Sequence, residues 1–371
     1  MRGSIIKRGN KYSIVVDVGR DEKGKRKQKW FSGYHSRKAA EKDLPQILSK
    51  IQTGNFVEPT KMKMKEFLQE WLEIKKSDVA YNTFETYKRH IENHIVPAIG
   101  NIPLSKIRVM HAQKMYADLE KKNLSKTSIH KTYSVLKNAL RYAYKTDLIA
   151  VDIAGKIDNP KKDTKEMKFW TKEEVRLFLE EAKEDQYYVF FHLAVSTGMR
   201  PGEILGLKWD DIDPKEQTVQ VIRSLSRNME LVPPKTNAGK RLISIDEKTI
   251  EELKKHRTNQ KRDKLKAGKA YKDEGFVIAT QIGTPVSHRN ILRNWYRITK
   301  PLFETKKLSE IRLYDLRHTH ASILLSEDIH PKIVSERLGH SSVRMTLDTY
   351  AHIMPGLQQE AADKFGDTLF G

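Results

Sequence analysis

The first part of the chain alternates apolar and polar residues in short runs, as β-strands do. The run "KYSIVVDVG" (11–19) leads into a polar turn at Gly24, and the alternation resumes in "KWFSGY" (29–34). A helical pattern then begins near Ser36. These runs predict a small N-terminal domain, residues 1–58, in which one helix covers a three-stranded sheet.

From about residue 60 the apolar positions change to a helical spacing. One stripe at i, i+3, i+4, i+7 and i+8 comprises Met64, Phe67, Leu68, Trp71 and Leu72. Further stripes predict helices over 83–95, 110–121 and 128–145, with a turn between the first two marked by Pro97, Gly100 and Pro103. The pattern indicates a compact helical domain over 59–158.

A polar, charged stretch, "NPKKDTKEMK" (159–168), is typical of a linker and opens the remaining segment, 159–371. The run "TKEE" predicts a helix capped by Thr171 and Glu174, and a buried helix after it should stop at Gly198. The runs "QTVQVI", "MELVPPK" and "RLISI" then predict one short antiparallel sheet, followed mostly by helices. The fold class is therefore multidomain and mainly α, with small β-sheets and an α+β C-terminal domain.

The net charge of the chain indicates which class of partner it binds. Lys plus Arg number 69 against 48 Asp plus Glu, which gives a net charge of +21 and favours a polyanion, above all nucleic acid. No apolar run approaches about 18 residues and no signal-peptide pattern opens the chain, so we expect a cytoplasmic protein without a membrane partner. The N-terminal hairpin turn is a predicted DNA-contacting ribbon, with a merely solvated turn as the alternative; its basic residues are Arg20, Lys23, Lys25, Arg26, Lys27 and Lys29.

Several chemistries lack their signatures. The chain has no cysteine, which excludes thiolate nucleophiles and cysteine zinc sites, and it has no GxxxxGK[ST], GxGxxG or HExxH motif. Asp210, Asp211 and Asp213 are the best candidates for a metal-dependent nuclease, but such a trio more often ends a helix and starts a turn. We predict neither a metal nor a cofactor.

Three motifs carry candidate chemistry. In "RLYDLRHTH" (312–320), His318 and His320 would point about 200° apart on a helix and so cannot share a metal, whereas Arg317 suits bidentate binding of phosphate. In "STGMRPGEILGLKW", Arg200 precedes a proline that favours a helix start, where anions bind. The third, "ERLGHSSVRMTLDTYAHI", presents a histidine and Tyr350, and packing is the alternative role for that lone tyrosine.

The motifs "TG-R-x-x-E", "LRHTHAS" and "LGHSS…TLDTYAH", with a lysine between two strands, together resemble the tyrosine recombinase family, and the full chain resembles a phage or integrative-element integrase. The resemblance implies an arm-type DNA-binding domain over 1–58, a helical core-binding (SAM-like) domain over 59–158 and a catalytic domain over 159–371. It implies a site-specific DNA recombinase that integrates and excises a mobile element through a 3′-phosphotyrosyl intermediate.

The resemblance also implies residue roles. Tyr350 is the expected nucleophile, Arg200 and Arg317 bind the non-bridging phosphate oxygens, Lys235 protonates the departing 5′-oxygen, and His340 hydrogen-bonds the phosphate. Glu203, one helical turn after the first arginine, is expected to orient the site, and His318 and His320 are interpreted as structural members of their helix. Two arginines, a lysine and an imidazole can meet the charge of a pentacoordinate phosphate without metal.

One position departs from the family pattern. Tyr314 stands where the family usually has a histidine that is often assigned as the proton acceptor, and a phenol accepts protons poorly near neutral pH. Either Tyr314 only helps to hold the phosphate while water or another group takes the proton of the nucleophile, or the enzyme is slower. A type IB topoisomerase and a catalytically inactive DNA-binding regulator are the alternative functions.

The expected partners follow from the same resemblance. They are double-stranded DNA with core-type and arm-type sites, three further copies of the chain in a homotetramer, and accessory DNA-bending or excision proteins. The tail carries an apolar helical stripe, Leu357, Ala361 and Phe365, which docks either on a neighbouring subunit or on its own domain.

Overall fold

The computed structural model describes residues 3–20, 24, 26–52, 60–160, 167–234, 236–350 and 357–370. The side chains of 18–20, 26, 27, 50, 52, 357–361 and 364 lie outside this description. The chain divides into two compact units, residues 1–164 and 165–371, and each is described by itself. No helix in the described ranges is long and apolar enough to cross a membrane.

The first unit opens with the predicted sheet and helix. The strands β1 (Gly3–Arg8), β2 (Lys11–Arg20) and β3 (Arg26–Tyr34) form an antiparallel sheet in the order β1-β2-β3, followed by α1 (Arg37–Gln52). Ile14 and Val16 alternate onto one face of β2 and are fully buried with Ala40 of α1. On β3, Trp30 remains 41% exposed, and the guanidinium of Arg8 stacks 4.3 Å from its ring.

Helices make up the rest of the first unit. They are α2 (Met64–Asp78), α3 (Tyr81–His90), α4 (Val96–Ile99), α5 (Val109–Lys121) and α6 (Lys126–Lys145). The apolar stripe predicted on α2 is buried along its whole length, from Met64 to Leu72, with at most 7% of any of its residues exposed. Burial of this stripe explains why the apolar spacing predicted a helix here.

The turn predicted to begin at Pro97 begins later. A π-helical turn, Ile91–Ile95, continues α3 directly into α4, so Pro97 lies inside a helix. Across that turn the N–H of Val96 donates to the carbonyl of Ile91, five residues back. The widened turn accommodates a proline that has no N–H to donate, and the chain turns only after Ile99.

The second unit is mainly helical. Its helices are α7 (Lys172–Glu181), α8 (Tyr188–Thr197), α9 (Pro201–Leu205), α10 (Glu247–Ala267), α11 (His288–Glu304), α12 (Asp315–Ser326), α13 (Pro331–Leu338), α14 (Val343–Tyr350) and α15 (Leu357–Phe370). Trp170, Phe178 and Trp295 form an aromatic core with ring centroids 5.0–5.4 Å apart. The predicted capping box of α7 is present, because the N–H of Glu174 donates to Thr171 and the N–H of Thr171 donates to Glu174.

The strands of this unit pair differently from the prediction. The strands β4 (Ile212–Asp213), β5 (Thr218–Val221) and β8 (Arg241–Ser244) form one antiparallel sheet, whereas β6 (Ser224–Leu225) and β7 (Leu231–Val232) form a separate hairpin. The run "MELVPPK" therefore does not lie between the other two strands, which pair directly through Val219 and Ile243. Leu231 and Val232 are both more than a third exposed, and the prolines after them lack the N–H groups that a longer ladder needs.

Two glycines end the helices that surround α12. Gly198 follows α8 at φ +64° and Gly339 follows α13 at φ +66°, in the left-handed conformation that closes a helix. A Cβ at Gly198 would come within 2.5 Å of His320, and a Cβ at Gly339 within 2.8 Å of the Ala238 carbonyl. Side chains are excluded at both points because neighbouring segments pass so close.

The tail helix α15 presents apolar side chains to solvent. Phe365 is 63% exposed, and Leu369 and Phe370 are exposed as well. The side chains of Leu357 and Ala361, the other members of the predicted stripe, lie outside the described residues.

Candidate active site

Arg317 lies on the first turn of α12 and is buried, with 3% of its surface exposed. Its Nη1 donates to the carbonyl of Gly198 at 2.8 Å, and its Nη2 donates to the carbonyl of Leu338 at 2.5 Å. These carbonyls stand at the C-terminal ends of α8 and α13, where the helix dipole attracts a cation. Burial lowers the pKa of Arg317, as does the charge of Arg200, but a guanidinium stays protonated at neutral pH. The two helix ends thus hold a fixed positive charge.

Glu203 orients Arg200. It is 2% exposed and accepts from Nη1 of Arg200 at 2.7 Å and from the backbone N–H of Arg200 at 2.9 Å. Burial alone would raise the pKa of the Glu203 carboxyl, but the charges and hydrogen bonds of Arg241 and Arg200 outweigh it and lower that pKa. The ionised carboxylate fixes Arg200 at the first turn of α9, immediately before Pro201.

Arg241 is a site residue that the sequence did not reveal. Its Nη2 donates to Glu203 at 2.9 Å and its Nε donates to the carbonyl of Arg337 at 2.6 Å, while its side chain is 6% exposed. It begins β8 and lies 38 residues from its carboxylate partner. The local pattern "RLISI" contains nothing that distinguishes it, because its partner becomes a neighbour only through the fold.

Tyr350 ends α14 with its hydroxyl against α12. The Oη of Tyr350 lies 2.7 Å from Nδ1 of His318, and Tyr350 is 1% exposed. Burial raises the pKa of the Tyr350 phenol above its ordinary value, while the charge of Arg317 acts in the opposite direction. Burial also lowers the pKa of His318, so its imidazole favours the neutral form. When Nδ1 of the neutral imidazole carries no proton, the phenol donates and the imidazole accepts.

The two histidines interpreted as structural members of their helix, His318 and His320, have different partners. His320 is 6% exposed, and its Nδ1 lies 2.7 Å from the carbonyl of Val195, which suits a packing role. His318 instead contacts the hydroxyl of Tyr350. The sequence contained a signal for the different position of His318. It lies four residues after Tyr314 and therefore faces the same side of α12.

His340 follows the end of α13. Its Nδ1 lies 2.9 Å from the hydroxyl of Thr346, which leaves Nε2 directed elsewhere. Burial, together with the charges of Arg317 and Arg200, lowers the pKa of His340 to about 4. The imidazole is therefore neutral near pH 7 and can act as a hydrogen-bond donor without adding charge.

Tyr314 stands at the N-terminus of α12 and is 42% exposed. Its ring meets that of His318 edge-on, with centroids 5.7 Å apart. Burial alone would lower the pKa of Arg200, but Glu203 and a hydrogen bond with Tyr314 raise it. Tyr314 thus lies between the first arginine and the histidine that contacts Tyr350.

Two of the three aspartates considered as metal ligands, Asp211 and Asp213, have structural partners. Asp211 accepts from Nη1 of Arg223 at 2.6 Å and from the N–H of Lys208 at 2.8 Å. Asp213 accepts from the N–H groups of the turn that follows it, Lys215 at 2.9 Å and Glu216 at 3.0 Å. Within the described ranges, no group of three or more His, Asp or Glu side chains has an arrangement that could hold a metal.

Some predicted site residues lie outside the described residues or are described only in part. Lys235 lies outside them, in the segment between β7 and β8. Lys23 and Lys25 of the N-terminal turn also lie outside the described residues, and only the backbones of Arg20, Arg26 and Lys27 are described, within β2 and β3. Lys29 lies on β3 opposite Val16 and is partly buried.

Three protein-family models match most of the chain. Residues 168–355 match the Phage integrase family, residues 63–120 match the N-terminal SAM-like domain of phage integrases, and residues 4–51 match an Arm DNA-binding domain. A "Tyrosine recombinase XerC-like" protein of Caldanaerobacter subterraneus subsp. tengcongensis is 29% identical, with 98% of this chain and 97% of the relative covered. The ICEBs1 integrase of Bacillus subtilis is 28% identical over 78% of each chain.

Solved structures share the fold. The Tn1549 transposon integrase in complex with transposon right end DNA has a TM-score of 0.69 at 21% identity, and the match covers 84% of this chain and all of that one. A lambda integrase tetramer bound to a Holliday junction has a TM-score of 0.58 at 20% identity, with 92% of each chain covered. Because the family match spans half of the chain and includes every helix from α7 to α14, this protein is a tyrosine recombinase of the phage integrase family.

Proposed function

We propose that the protein is an integrase that cuts and rejoins DNA at specific sites, inserting and excising a mobile element through a 3′-phosphotyrosyl intermediate. The observation that carries the proposal is a cluster in which Arg317 lies near both Arg200 and Tyr350, and a neutral His340 lies near the two arginines. The net charge of +21 suits a DNA substrate. Relatives named as integrases support integration as the direction of the reaction.

The proposed reaction is a transesterification. The Oη of Tyr350 attacks a backbone phosphorus, so that an O–P bond to the enzyme forms as the bond from phosphorus to the 5′-oxygen breaks. Arg200 and Arg317 meet the charge on the non-bridging oxygens, and His340 donates a hydrogen bond from Nε2. Attack by a 5′-hydroxyl of another strand reverses the step, and the phosphotyrosine ester conserves the bond energy.

Lys235 is the proposed acid that protonates the departing 5′-oxygen. The segment that carries it runs from β7 to β8, and its described part at Ala238 passes beside Gly339, next to His340. This closeness supports the assignment of the lysine to the same site. Glu203 and Arg241 hold Arg200 in place and are positioning residues.

The remaining roles are assigned by domain. We assign residues 1–58 to arm-type DNA sites, residues 59–158 to core-type sites, and 159–371 to catalysis. The match of residues 4–51 to an Arm DNA-binding domain supports the first assignment. The active assembly is a homotetramer on DNA, as in the lambda integrase tetramer on a Holliday junction, and accessory DNA-bending or excision proteins select the direction.

The test uses a nicked duplex selected from a DNA library for binding to the full chain, incubated with EDTA. When a nick lies close to the cleaved bond, the short fragment that carries the new 5′-hydroxyl diffuses away. Religation is then prevented, and the covalent protein–DNA adduct accumulates. We expect an adduct with the unchanged protein and none with Tyr350→Phe, which retains the ring but not the nucleophile. The matched control is Tyr144→Phe, a change at a half-exposed tyrosine of α6, which should leave the adduct intact.

Three outcomes separate the candidate functions. An adduct followed by exchange of strands between two duplexes supports the integrase. An adduct with relaxation of supercoiled DNA but no exchange would favour a type IB topoisomerase. A protein that binds the selected DNA and never forms an adduct would be a DNA-binding regulator instead.

A further inference from the structure

The hydroxyl of Tyr350 has an imidazole partner positioned to receive its proton. Nδ1 of His318 lies 2.7 Å from Oη, a distance at which a hydrogen bond from the phenol is fully formed. The two residues come from different helices, 32 positions apart. We infer that His318 is the proton acceptor for Tyr350 in the cleavage step, an inference that rests on the recombinase chemistry proposed above.

The competing acceptor on the same helix is poorly suited. Tyr314 is a phenol, and near neutral pH a phenol does not take up a proton. It is 42% exposed, whereas His318 is enclosed between the ring of Tyr314 at 5.7 Å and the ring of Tyr350 at 5.9 Å. The imidazole is thus one helical turn further along the face of α12 that begins with Tyr314.

The surroundings of His318 favour the form that accepts a proton. Burial lowers its pKa, which favours the neutral imidazole. A neutral imidazole that carries its proton on Nε2 has its lone pair on Nδ1, the atom that faces the phenol. The charged and titratable groups that face it are Asp315, which raises the pKa, Arg317 and Arg312, which lower it, and the neighbouring Tyr314, His340 and Tyr350. Burial, the largest effect, together with the two arginines outweighs the carboxylate of Asp315 and lowers the pKa of His318.

The proton balance of the step is closed. As the bond from Oη to phosphorus forms, the phenolic proton moves to Nδ1 and His318 becomes an imidazolium. The bond from phosphorus to the 5′-oxygen breaks, and that oxygen takes its proton from Lys235. In the reverse reaction His318 returns its proton to the Tyr350 oxygen as the phosphotyrosine ester is broken, so the histidine serves as base and then as acid.

The test compares the rate of adduct formation on the nicked duplex for His318→Gln and the unchanged protein. A glutamine amide oxygen can still accept the hydrogen bond of the phenol but cannot take its proton. We expect a fall of about 10²–10⁴-fold, with DNA affinity unchanged. In the unchanged protein the rate of adduct formation should fall at acidic pH, where His318 is protonated, and this acidic limb of the pH profile should be lost in His318→Gln. The matched control, His330→Gln at the exposed histidine that caps α13, should keep that limb.

A second comparison separates proton transfer from positioning. Replacing Tyr350 by a fluorinated tyrosine of lower pKa reduces the need for a base, so it should restore much of the lost rate in His318→Gln. A defect that the fluorinated residue does not relieve, or a His318→Gln rate equal to that of the unchanged protein, would overturn the inference. Adduct formation by the unchanged protein decides the recombinase chemistry separately.

One measurement needs no variant. The ¹⁵N chemical shifts of His318 in the free full-length protein report which ring nitrogen carries the proton. A proton on Nε2 supports the inference. A proton on Nδ1, with the imidazole donating to the phenol, would overturn it even if His318→Gln failed to fold.

Discussion

Arg241 and Glu203 form a buried ion pair in which Nη2 of the arginine donates to Oε2 of the carboxylate at 2.9 Å, and both side chains are at most 6% exposed. The same carboxylate also holds Arg200. The carboxylate of Glu203 thereby links the start of β8 to Arg200, which caps α9. Truncating one partner leaves an uncompensated buried charge, which is far more costly than the loss of a surface pair.

Arg241→Ala should therefore lower the free energy of unfolding of the catalytic unit by about 3–5 kcal/mol. Denaturant unfolding of the full chain, followed by tryptophan fluorescence, measures the loss. The control is Lys264→Ala, which removes the exposed ion pair with Asp273 and should cost about 0–1 kcal/mol. Equal costs for the two variants would contradict the role assigned to the buried pair.

The stability of the catalytic unit should decrease on acidification below pH 6.5. Burial, then the charge of Arg337, lowers the pKa of His320 to about 3, and burial lowers that of His340 to about 4. Because the unfolded chain binds more protons than the folded one between these values and 6.5, the stabilisation is complete above 6.5 and is lost as the pH falls.

The check is thermal unfolding of the full chain between pH 7 and 4. His320→Asn retains an amide that can donate to the Val195 carbonyl but does not titrate, so its melting temperature should depend less on pH. A His330→Asn control at an exposed position should keep the full dependence. An unaltered pH dependence in His320→Asn would remove His320 as its source.

Gly198→Ala should weaken both stability and DNA cleavage. The residue has φ +64°, its Cβ would come within 2.5 Å of His320, and its carbonyl receives a hydrogen bond from Arg317. Gly275→Ala is the matched control, since it has φ +75° with nothing within 4 Å and should cost only about 1–2 kcal/mol for the backbone conformation. Denaturant unfolding measures the loss in the free energy of unfolding for both variants. A larger loss for Gly198→Ala is the cost of the clash with His320, and equal losses would exclude such a clash.

Changing the basic residues of the N-terminal turn to alanine should weaken binding to arm-type DNA. Each lost phosphate contact should reduce the slope of log K against log salt by about 0.9, because fewer counterions are released. The variant combines Arg20, Lys23, Lys25, Arg26, Lys27 and Lys29. Filter binding over a range of salt concentrations measures the slope, and adduct formation on core-type DNA should persist. An unchanged slope would mean that the turn is only solvated.

The sequence by itself determined the features that depend on near neighbours along the chain. The stripe from Met64 to Leu72 follows from helical periodicity, the cap at Thr171 from a hydrogen bond three residues away, and the helix end at Gly198 from its lack of a Cβ. The order of domains and the motifs around Arg200, Arg317 and Tyr350 were also readable, because each motif is contiguous.

The tertiary structure decided which distant groups meet. β5 pairs directly with β8, and the run between them in sequence forms a separate hairpin. Alternation of apolar and polar residues predicts a strand but does not determine which strand it pairs with. The contact of His318 with Tyr350 and that of Arg241 with Glu203 span 32 and 38 residues. Such contacts depend on how helices and strands pack around a shared core, and no local pattern specifies that packing. The phenol at Tyr314 left the proton acceptor open in the sequence, and packing of α14 against α12 places the imidazole of His318 beside the hydroxyl of Tyr350.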